Sequence, residues 1–297
     1  MSQSHQRFHR CPCPNRRKAN LTWVLLVGLG SCLGAYPAQL QPETLQAWQE
    51  YLALTESRLK SYHQNPGRFL WLDEQPERRN RVGAGEILVA PWEGRPVRHV
   101  PHGLIHHWVG AVLIPGVKLE DVLAVIHDYD NYKQHYKASG VVADSRLIER
   151  RDSSYFRFQM RWVKRVLWVT AAVEAEYESR EYVLDAQRRY GVARSLRIQE
   201  IRNVGGPNER LLPPDTGTGY MWRLYSISKY QETPEGVYGE LEALVLSREI
   251  PAALSWIVTP VVNRLSRNSL LLTLRLTREA VLKRKRQAQF DAPSSVI

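Results

Sequence analysis

Apolar and polar residues alternate along most of the middle of the chain. Between residues 167 and 177 every second position is Leu, Val, Ala, Val, Ala or Tyr, and the other face holds Trp, Thr, Ala and two Glu. This period of two predicts a half-buried antiparallel strand. Similar runs at 102–115, 141–149, 155–163, 220–230 and 237–246 predict further strands, and residues 86–90 predict a short one.

Helical spacing is confined to three segments. Residues 42–62 predict an amphipathic helix and residues 119–132 a short, apolar one. A third helix begins near Pro251 and runs to about Arg286, with a kink expected at Pro260. Residues 63–84 are polar and are predicted to be mainly loop. The order of elements predicts a single α+β domain with an antiparallel sheet and a long C-terminal helix.

Large aromatic residues are concentrated on the predicted sheet and on the last helix. Such residues either fill a core or line an apolar cavity, and the sequence does not separate the two. We choose candidate ligand-binding residues from these elements: Trp108, Phe158, Trp222, Arg223, Leu241, Ala243, Trp256 and Val261.

Acidic residues share one face of two predicted strands. Glu240 and Glu242 lie on one face, as do Glu174 and Glu176. Because the opposite face of the 237–246 strand is small and apolar, we expect the acidic face to point outward and to form cross-strand ion pairs. If it points inward, it would instead give a cavity a polar floor suited to a lipid headgroup.

The sequence offers little sign of catalysis. His106 and His107 are adjacent in a strand and therefore face opposite sides, so no metal site is predicted. Asp128 follows a helix and is interpreted as a capping group or a partner of Lys133. An enzyme would need a shielded pair, such as Arg223 with Glu240 or Asp128 with His127. We assign no catalytic residue and no cofactor.

One segment carries a resemblance to a known superfamily. The run Val122-Leu-Ala-Val-Ile-His-Asp-Tyr-Asp-Asn-Tyr132, continued by 141–145, resembles the START-like (helix-grip, SRPBCC) superfamily, as do the patches 219–223 and 246–251. This superfamily includes lipid-transfer domains, polyketide cyclases and coenzyme Q-binding proteins. The resemblance covers about residues 85–283. It implies a helix-grip fold, in which a curved antiparallel sheet wraps around the C-terminal helix and leaves a cavity.

That fold makes the binding of a lipid or other apolar small molecule our leading hypothesis. A cyclase-like or hydrolase-like enzyme of the same fold is a second hypothesis, with a non-enzyme favoured. A third is an interaction module of the cell envelope without a small ligand. We expect a monomer that contacts a membrane surface and does not bind nucleic acid.

The N-terminal 38 residues have the pattern of an export signal. Arg16, Arg17 and Lys18 precede an apolar run at residues 21–30, which is shorter than a membrane-spanning helix. Leu29-Gly-Ser-Cys32 resembles a lipobox, so Cys32 is a candidate for lipidation. We therefore expect an exported protein, either periplasmic or anchored to a membrane. The predicted domains are a leader at 1–38, which is either a signal peptide or an N-terminal anchor, an amphipathic helix and linker at 39–84, a START-like ligand-binding domain at 85–286 and a frayed tail at 287–297.

Net charge changes this picture little. The chain carries +11, and five of its 41 basic residues lie in the predicted leader, which has no acidic residue. A mildly basic remainder is consistent with approach to anionic lipid headgroups but is also common on ordinary solvated surfaces.

Overall fold

The computed structural model describes residues 38–63, 67–166 and 169–291. Residues 1–37 of the predicted leader, including Cys32, and the last six residues of the predicted tail lie outside the described residues. Nowhere in the described ranges is a helix both long and apolar enough to cross a membrane.

The sheet dominates the described chain and is antiparallel throughout. Its ten strands follow the order β2-β4-β12-β11-β8-β7-β6-β5, with β3 also paired to β4 and β9 to β8. The strands are β2 (Leu88–Pro91), β3 (Val97–Val100), β4 (Gly103–Pro115), β5 (Val142–Arg150), β6 (Tyr155–Val166), β7 (Val169–Val183), β8 (Arg188–Arg202), β9 (Arg210–Leu211), β11 (Arg223–Thr233) and β12 (Gly236–Arg248). Two short strands, β1 (Ala38–Gln39) and β10 (Thr216–Gly217), pair separately.

Five α-helices accompany the strands in the described ranges: α1 (Pro42–His63), α2 (Pro76–Gly83), α3 (Leu119–Ile126), α4 (Tyr132–His135) and α5 (Ala252–Asp291). The predicted α+β class, the antiparallel sheet and the long C-terminal helix are confirmed. The loop predicted for residues 63–84 is wrong in its second half. A 3-10 helix at Trp71–Glu74 and helix α2 stand there, and Pro76 supplies the first residue of α2.

The two faces of the sheet are covered by different parts of the chain. We call the side toward α5 the helix face; on β12 it carries the odd-numbered residues from Val237 to Val245. We call the opposite side the N-terminal face; on β12 it carries the even-numbered residues from Tyr238 to Leu246. Each strand contributes alternate residues to each face, as a period of two requires.

Helix α5 packs closely along β4 on the helix face. Leu270, Leu274 and Val281 are buried there beside apolar residues of α3. Gly110 permits this approach, because a Cβ at that position would lie 2.7 Å from Leu274 Cδ1. A larger residue at 110 would push the helix away from the strand.

The described residues of the segment 38–92, namely 38–63 and 67–92, cover the N-terminal face. Trp48 and Leu59 of α1 pack against Leu244 and Leu246, while Leu70 and Leu72 are fully buried near Tyr238. From the sequence, residues 39–84 are expected to form a helix and linker outside the ligand-binding domain. In the structure these residues instead close one side of the sheet, because their apolar side chains need the sheet in order to be buried.

Candidate functional site

The centre of the sheet has an inverted pattern of burial. β12 has neighbours on both sides, and on its N-terminal face Glu240 and Glu242 are only 2% and 1% exposed. On the helix face of the same strand, Leu241, Ala243 and Val245 are only half-buried. Apolar residues at the middle of a large sheet are ordinarily the better buried set. We conclude that the side chains above the helix face do not fill the space over β12.

Small side chains enlarge this space across the neighbouring strands. Ala243 lies opposite Ser226, and Ser226 lies opposite Ala193 of β8. One pair further along, Ser228 lies opposite Gly191. Because α5 packs mainly along β4, these short side chains form a floor that extends beyond the helix.

Aromatic rings form a wall on the β6–β7 side of the helix face. The ring of Phe158 stacks on Tyr129 at 4.3 Å and on Tyr177 at 5.2 Å between centroids. Burial raises the pKa of both Tyr129 and Tyr177 well above the usual value, so their hydroxyls are neutral in any ordinary buffer. The wall is therefore apolar with uncharged hydroxyl groups.

A histidine on the helix face of β4 is also neutral. His106 is 6% exposed, and its Nε2 lies 2.9 Å from Ser247 Oγ. Burial lowers the pKa of His106 to about 4, since no acid lies beside it to stabilise the imidazolium. At neutral pH this side chain contributes hydrogen bonding without charge.

One titratable pair lies near the end of α3. His127 Nε2 hydrogen-bonds Glu181 Oε1 of β7, and the two side chains are 21% and 10% exposed. The pairs suggested from the sequence do not form, because Asp128 accepts from His135 at 2.8 Å and Arg223 donates to Asp215. His127 also stacks on Phe156, which fixes its ring. This His–Glu pair is the arrangement on which the enzyme hypothesis depends.

The order of these elements identifies the fold. Strand β4 leads into α3, eight further strands follow, and α5 closes the chain against the helix face, with incompletely filled space beside it. The fold is the START-like helix-grip fold. The resemblance stated from residues 122–132 is thereby confirmed at the level of fold.

Sequence comparison adds nothing to this assignment: no protein-family model matches the chain, and no curated protein sequence matches it. Solved structures with a weak likeness to this chain include three proteins of low sequence identity. A STAR-related lipid transfer protein from Xanthomonas axonopodis is 14% identical, covers 63% of this chain and 99% of its own, and has a TM-score of 0.41. The Zhui aromatase/cyclase from Streptomyces is 16% identical, covers 62% of this chain and 98% of its own, and has a TM-score of 0.40. A START superfamily protein from Mycobacterium smegmatis is 10% identical, covers 60% of this chain and 97% of its own, and has a TM-score of 0.35.

Four of the residues selected from the sequence share the helix face. Trp108 lies opposite Ala243, and Leu241 lies one pair further along β12. Phe158 belongs to the aromatic wall on β6. Alternation along the strands places these side chains on one face of the helix-grip sheet.

The other four selected residues lie elsewhere. Trp222 packs with Trp48 and Leu59 in the cluster on the N-terminal face, and Arg223 is paired with Asp215. Trp256 and Val261 of α5 are 75% and 47% exposed, so they point to solvent. Sequence spacing alone does not show which side of a long helix turns toward the sheet.

The expectation for Glu240 and Glu242 is confirmed for the cross-strand ion pair, which Glu240 forms with Lys229 on the neighbouring strand, and is wrong for exposure to solvent. They point neither to solvent nor into the space beneath α5, because the segment 38–92 covers them. Glu240 pairs with Lys229 at 3.0 Å and accepts from the Trp71 amide. Glu242 pairs with His107 at 2.7 Å and with Arg58. The pattern of residues 63–84 does not reveal that this segment covers the acidic face.

Several residues of the site were not selected from the sequence. They are Ala193, Ser226, Ser228, Tyr177, Glu181 and His106. His106 could have been found, because it stands two positions from Trp108 in one strand. The small residues carried no signal until the strand register was known. Within the described ranges no group of His, Cys, Asp and Glu side chains is arranged to hold a metal ion.

Proposed function

We propose that this protein binds a lipid or other apolar small molecule between the helix face and α5. The observation that carries the proposal is the half-buried state of Leu241, Ala243 and Val245 at the centre of the sheet. Apolar surface left in contact with water costs about 25 cal/mol per Å². An apolar ligand would remove that surface from water, and the smooth floor of small side chains suits an extended or ring-shaped molecule.

The proposal is tested by filling the space. Ala243→Phe adds a ring above the floor, and we expect apolar ligand binding to fall at least about tenfold while the fold is kept. The matched control is Ala111→Phe on the adjacent strand, since Ala111 is 0% exposed on the closed N-terminal face. Overpacking there should cost about 1–3 kcal/mol of stability.

The measurements are thermal unfolding and binding of the neutral dye Nile red, together with native mass spectrometry of protein purified from cells. A loss of stability in Ala243→Phe as large as that in Ala111→Phe would show that the helix face is already filled. Unchanged dye binding in a folded Ala243→Phe protein would also contradict the proposal.

We further propose that the protein works at a membrane surface outside the cytoplasm. The leader pattern with Cys32 and the exposed Trp256 and Val261 on α5 support this proposal. The mature N-terminus, determined by mass spectrometry, tests the location. A diacylated Cys32 or a start between Ala35 and Gln39 would agree with it, whereas an intact Met1 in the cytosolic fraction would contradict it.

A further inference from the structure

Three neighbouring strands, β4, β12 and β11, carry no positively charged residue on the helix face. Every second residue along 104–114 of β4, 224–232 of β11 and 237–247 of β12 faces α5, and none is Lys or Arg. The one acid among them, Glu232, pairs at 2.9 Å with Lys118 at the edge. Arg189 of β8 lies on this face opposite Tyr230, at the end of β11 farther from His106 and Trp108. A phosphate or carboxylate lying near His106 and Trp108 would find no counter-charge there.

Two side chains on this face of β4 have buried polar atoms without a partner among the described residues. These are Nδ1 of His106 and Nε1 of Trp108. The two residues are 6% and 7% exposed, and as neighbours two positions apart they point to the same side. Leaving such an atom unpaired away from water is unfavourable, so native structures rarely do so without a ligand or a bound water.

Helix α5 brings a third such atom to the same end of the space. Asn263 Oδ1 is buried and also has no partner in the described part of the chain. Asn263 lies eleven residues before Leu274, which is about three turns and returns it to the same side of the helix. Since Leu274 contacts the Gly110 position and Lys285 Nζ binds the Gly116 carbonyl, α5 and β4 run in the same direction.

The distances along the two elements agree. Eleven helical residues span about 16 Å, and the four strand residues from Gly110 back to His106 span about 13 Å. Asn263 is therefore carried toward His106 and Trp108. We call these three residues the polar corner.

The polar corner has a defined chemistry. The Trp108 indole donates only, whereas Asn263 Oδ1 accepts only. A hydroxyl group can accept from the first and donate to the second, and a neutral His106 can take either role depending on its tautomer. A carbonyl group could accept from Trp108 but would leave Asn263 Oδ1 unpaired, and an anion would be repelled by that oxygen in the orientation present.

We propose that the polar corner binds a hydroxyl group at the buried end of an otherwise apolar ligand. The inference rests on the proposed function and narrows it from apolar molecules in general to long-chain or polycyclic alcohols. A ligand with an anionic end would have to keep that end away from the corner.

The test compares three probes of equal chain length by displacement of Nile red at pH 8: dodecan-1-ol, dodecane and dodecanoate. The wild-type protein should bind dodecan-1-ol at least about tenfold more tightly than dodecanoate, because the carboxylate has no counter-charge. Trp108→Phe keeps an aromatic ring and removes the donor. This variant should weaken the binding of dodecan-1-ol about five- to tenfold and leave the affinity for dodecane unchanged.

Two further variants make the result decisive. Trp222→Phe removes an indole from the N-terminal face and should change the affinity for neither dodecan-1-ol nor dodecane. Asn263→Leu removes the acceptor and provides a second measurement if Trp108→Phe does not fold. Equal affinity for dodecanoate and dodecan-1-ol would overturn the inference, as would equal weakening of dodecane and dodecan-1-ol in Trp108→Phe. If none of the three probes displaces the dye, the proposed function itself fails.

Discussion

Lys229 and Glu240 form a buried ion pair whose removal should be strongly destabilising. Both residues are 2% exposed, they lie opposite each other on β11 and β12, and their charged atoms are 3.0 Å apart. Lys229→Met keeps the length and apolar character of the stem but removes the ammonium group. Glu240 would then be left charged beneath the segment 38–92, with the Trp71 amide as its remaining donor.

The expected magnitude follows from the separation. Two unit charges at 3.0 Å attract by about 5.5 kcal/mol at an effective dielectric constant of about 20. Removing the lysine also removes the cost of burying its charge, so the net loss is smaller. Broken buried pairs typically cost about 3–5 kcal/mol, and we expect Lys229→Met to fall in that range. This is a large part of the stability of an ordinary domain.

A double-mutant cycle measures the coupling. Urea unfolding followed by circular dichroism should be carried out on Lys229→Met, Glu240→Gln and the combined variant. The combined variant should be at least about 2 kcal/mol more stable than Lys229→Met, because a neutral carboxamide at position 240 needs no counter-charge and can still accept from the Trp71 amide. The control is Arg197→Met, since Arg197 is 53% exposed and 3.5 Å from Glu176; it should cost less than about 1 kcal/mol.

The pH dependence gives the reasoning a second check. Burial raises the pKa of Glu240, and Lys229 counteracts that rise. Without the lysine the pKa should rise further, so the folded state of Lys229→Met holds its proton more tightly than the unfolded state does. The loss of stability in Lys229→Met relative to the wild-type protein is therefore complete above the raised pKa. It becomes smaller as the pH falls toward 4.5, the ordinary pKa of a glutamate. A loss below about 1 kcal/mol at pH 8, or a deficit that grows on acidification, would refute the argument.

Two further predictions concern the helix face and α5. Because burial lowers the pKa of His106 from 6.5 to about 4, the unfolded chain binds its proton more readily, and stability should fall by about 3 kcal/mol between pH 7 and pH 4 through this residue. In urea unfolding, the stability of His106→Gln should fall by about 3 kcal/mol less than that of the wild-type protein between pH 7 and pH 4. An identical fall in both proteins would contradict the lowered pKa of His106. Trp256→Ala should reduce co-sedimentation with anionic vesicles at unchanged melting temperature, whereas Leu54→Ala, which removes an apolar residue that is 69% exposed on α1, should not. Equal vesicle binding by the wild-type protein, Trp256→Ala and Leu54→Ala would show that Trp256 of α5 does not contribute to membrane contact.

The architecture could be predicted because alternation and spacing are local properties of the sequence. The run 167–177 alternates without a break, and residues 119–126 repeat at helical spacing, so each element is specified by its own residues. The two faces of the 237–246 strand can also be told apart, with the two glutamates on one side. These patterns need no knowledge of how distant segments meet.

The cover over each face could not be predicted, because it depends on contacts between distant segments. Glu240 is buried by Trp71 and its neighbours, and Trp71 lies 169 residues earlier in the chain. The segment 63–84 has too few apolar residues to show a period, yet Leu70 and Leu72 are completely buried. For the same reason, the placement of Trp222 and Trp256 required the packing of α1 and the rotation of α5 about its axis.

Buried charges are distributed unequally between the two faces of the sheet, and this difference bears on the proposed function. Burying a charge is expensive, and it is least so where fixed partners can surround it. On the N-terminal face each buried acid has a permanent partner from the chain itself: Lys229 for Glu240, and Arg58 with His107 for Glu242. On the helix face of β4, β11 and β12 one acid is present, Glu232, which pairs with Lys118 at the edge, and the other side chains there are apolar, small or neutral. Charged side chains on a face that receives a ligand would be desolvated each time the ligand binds. A charged face of this kind would therefore weaken the binding of an apolar molecule. The absence of positive charge over β4, β11 and β12 therefore agrees with the proposed apolar binding surface, in which the polar corner would receive an uncharged hydrogen-bonding group.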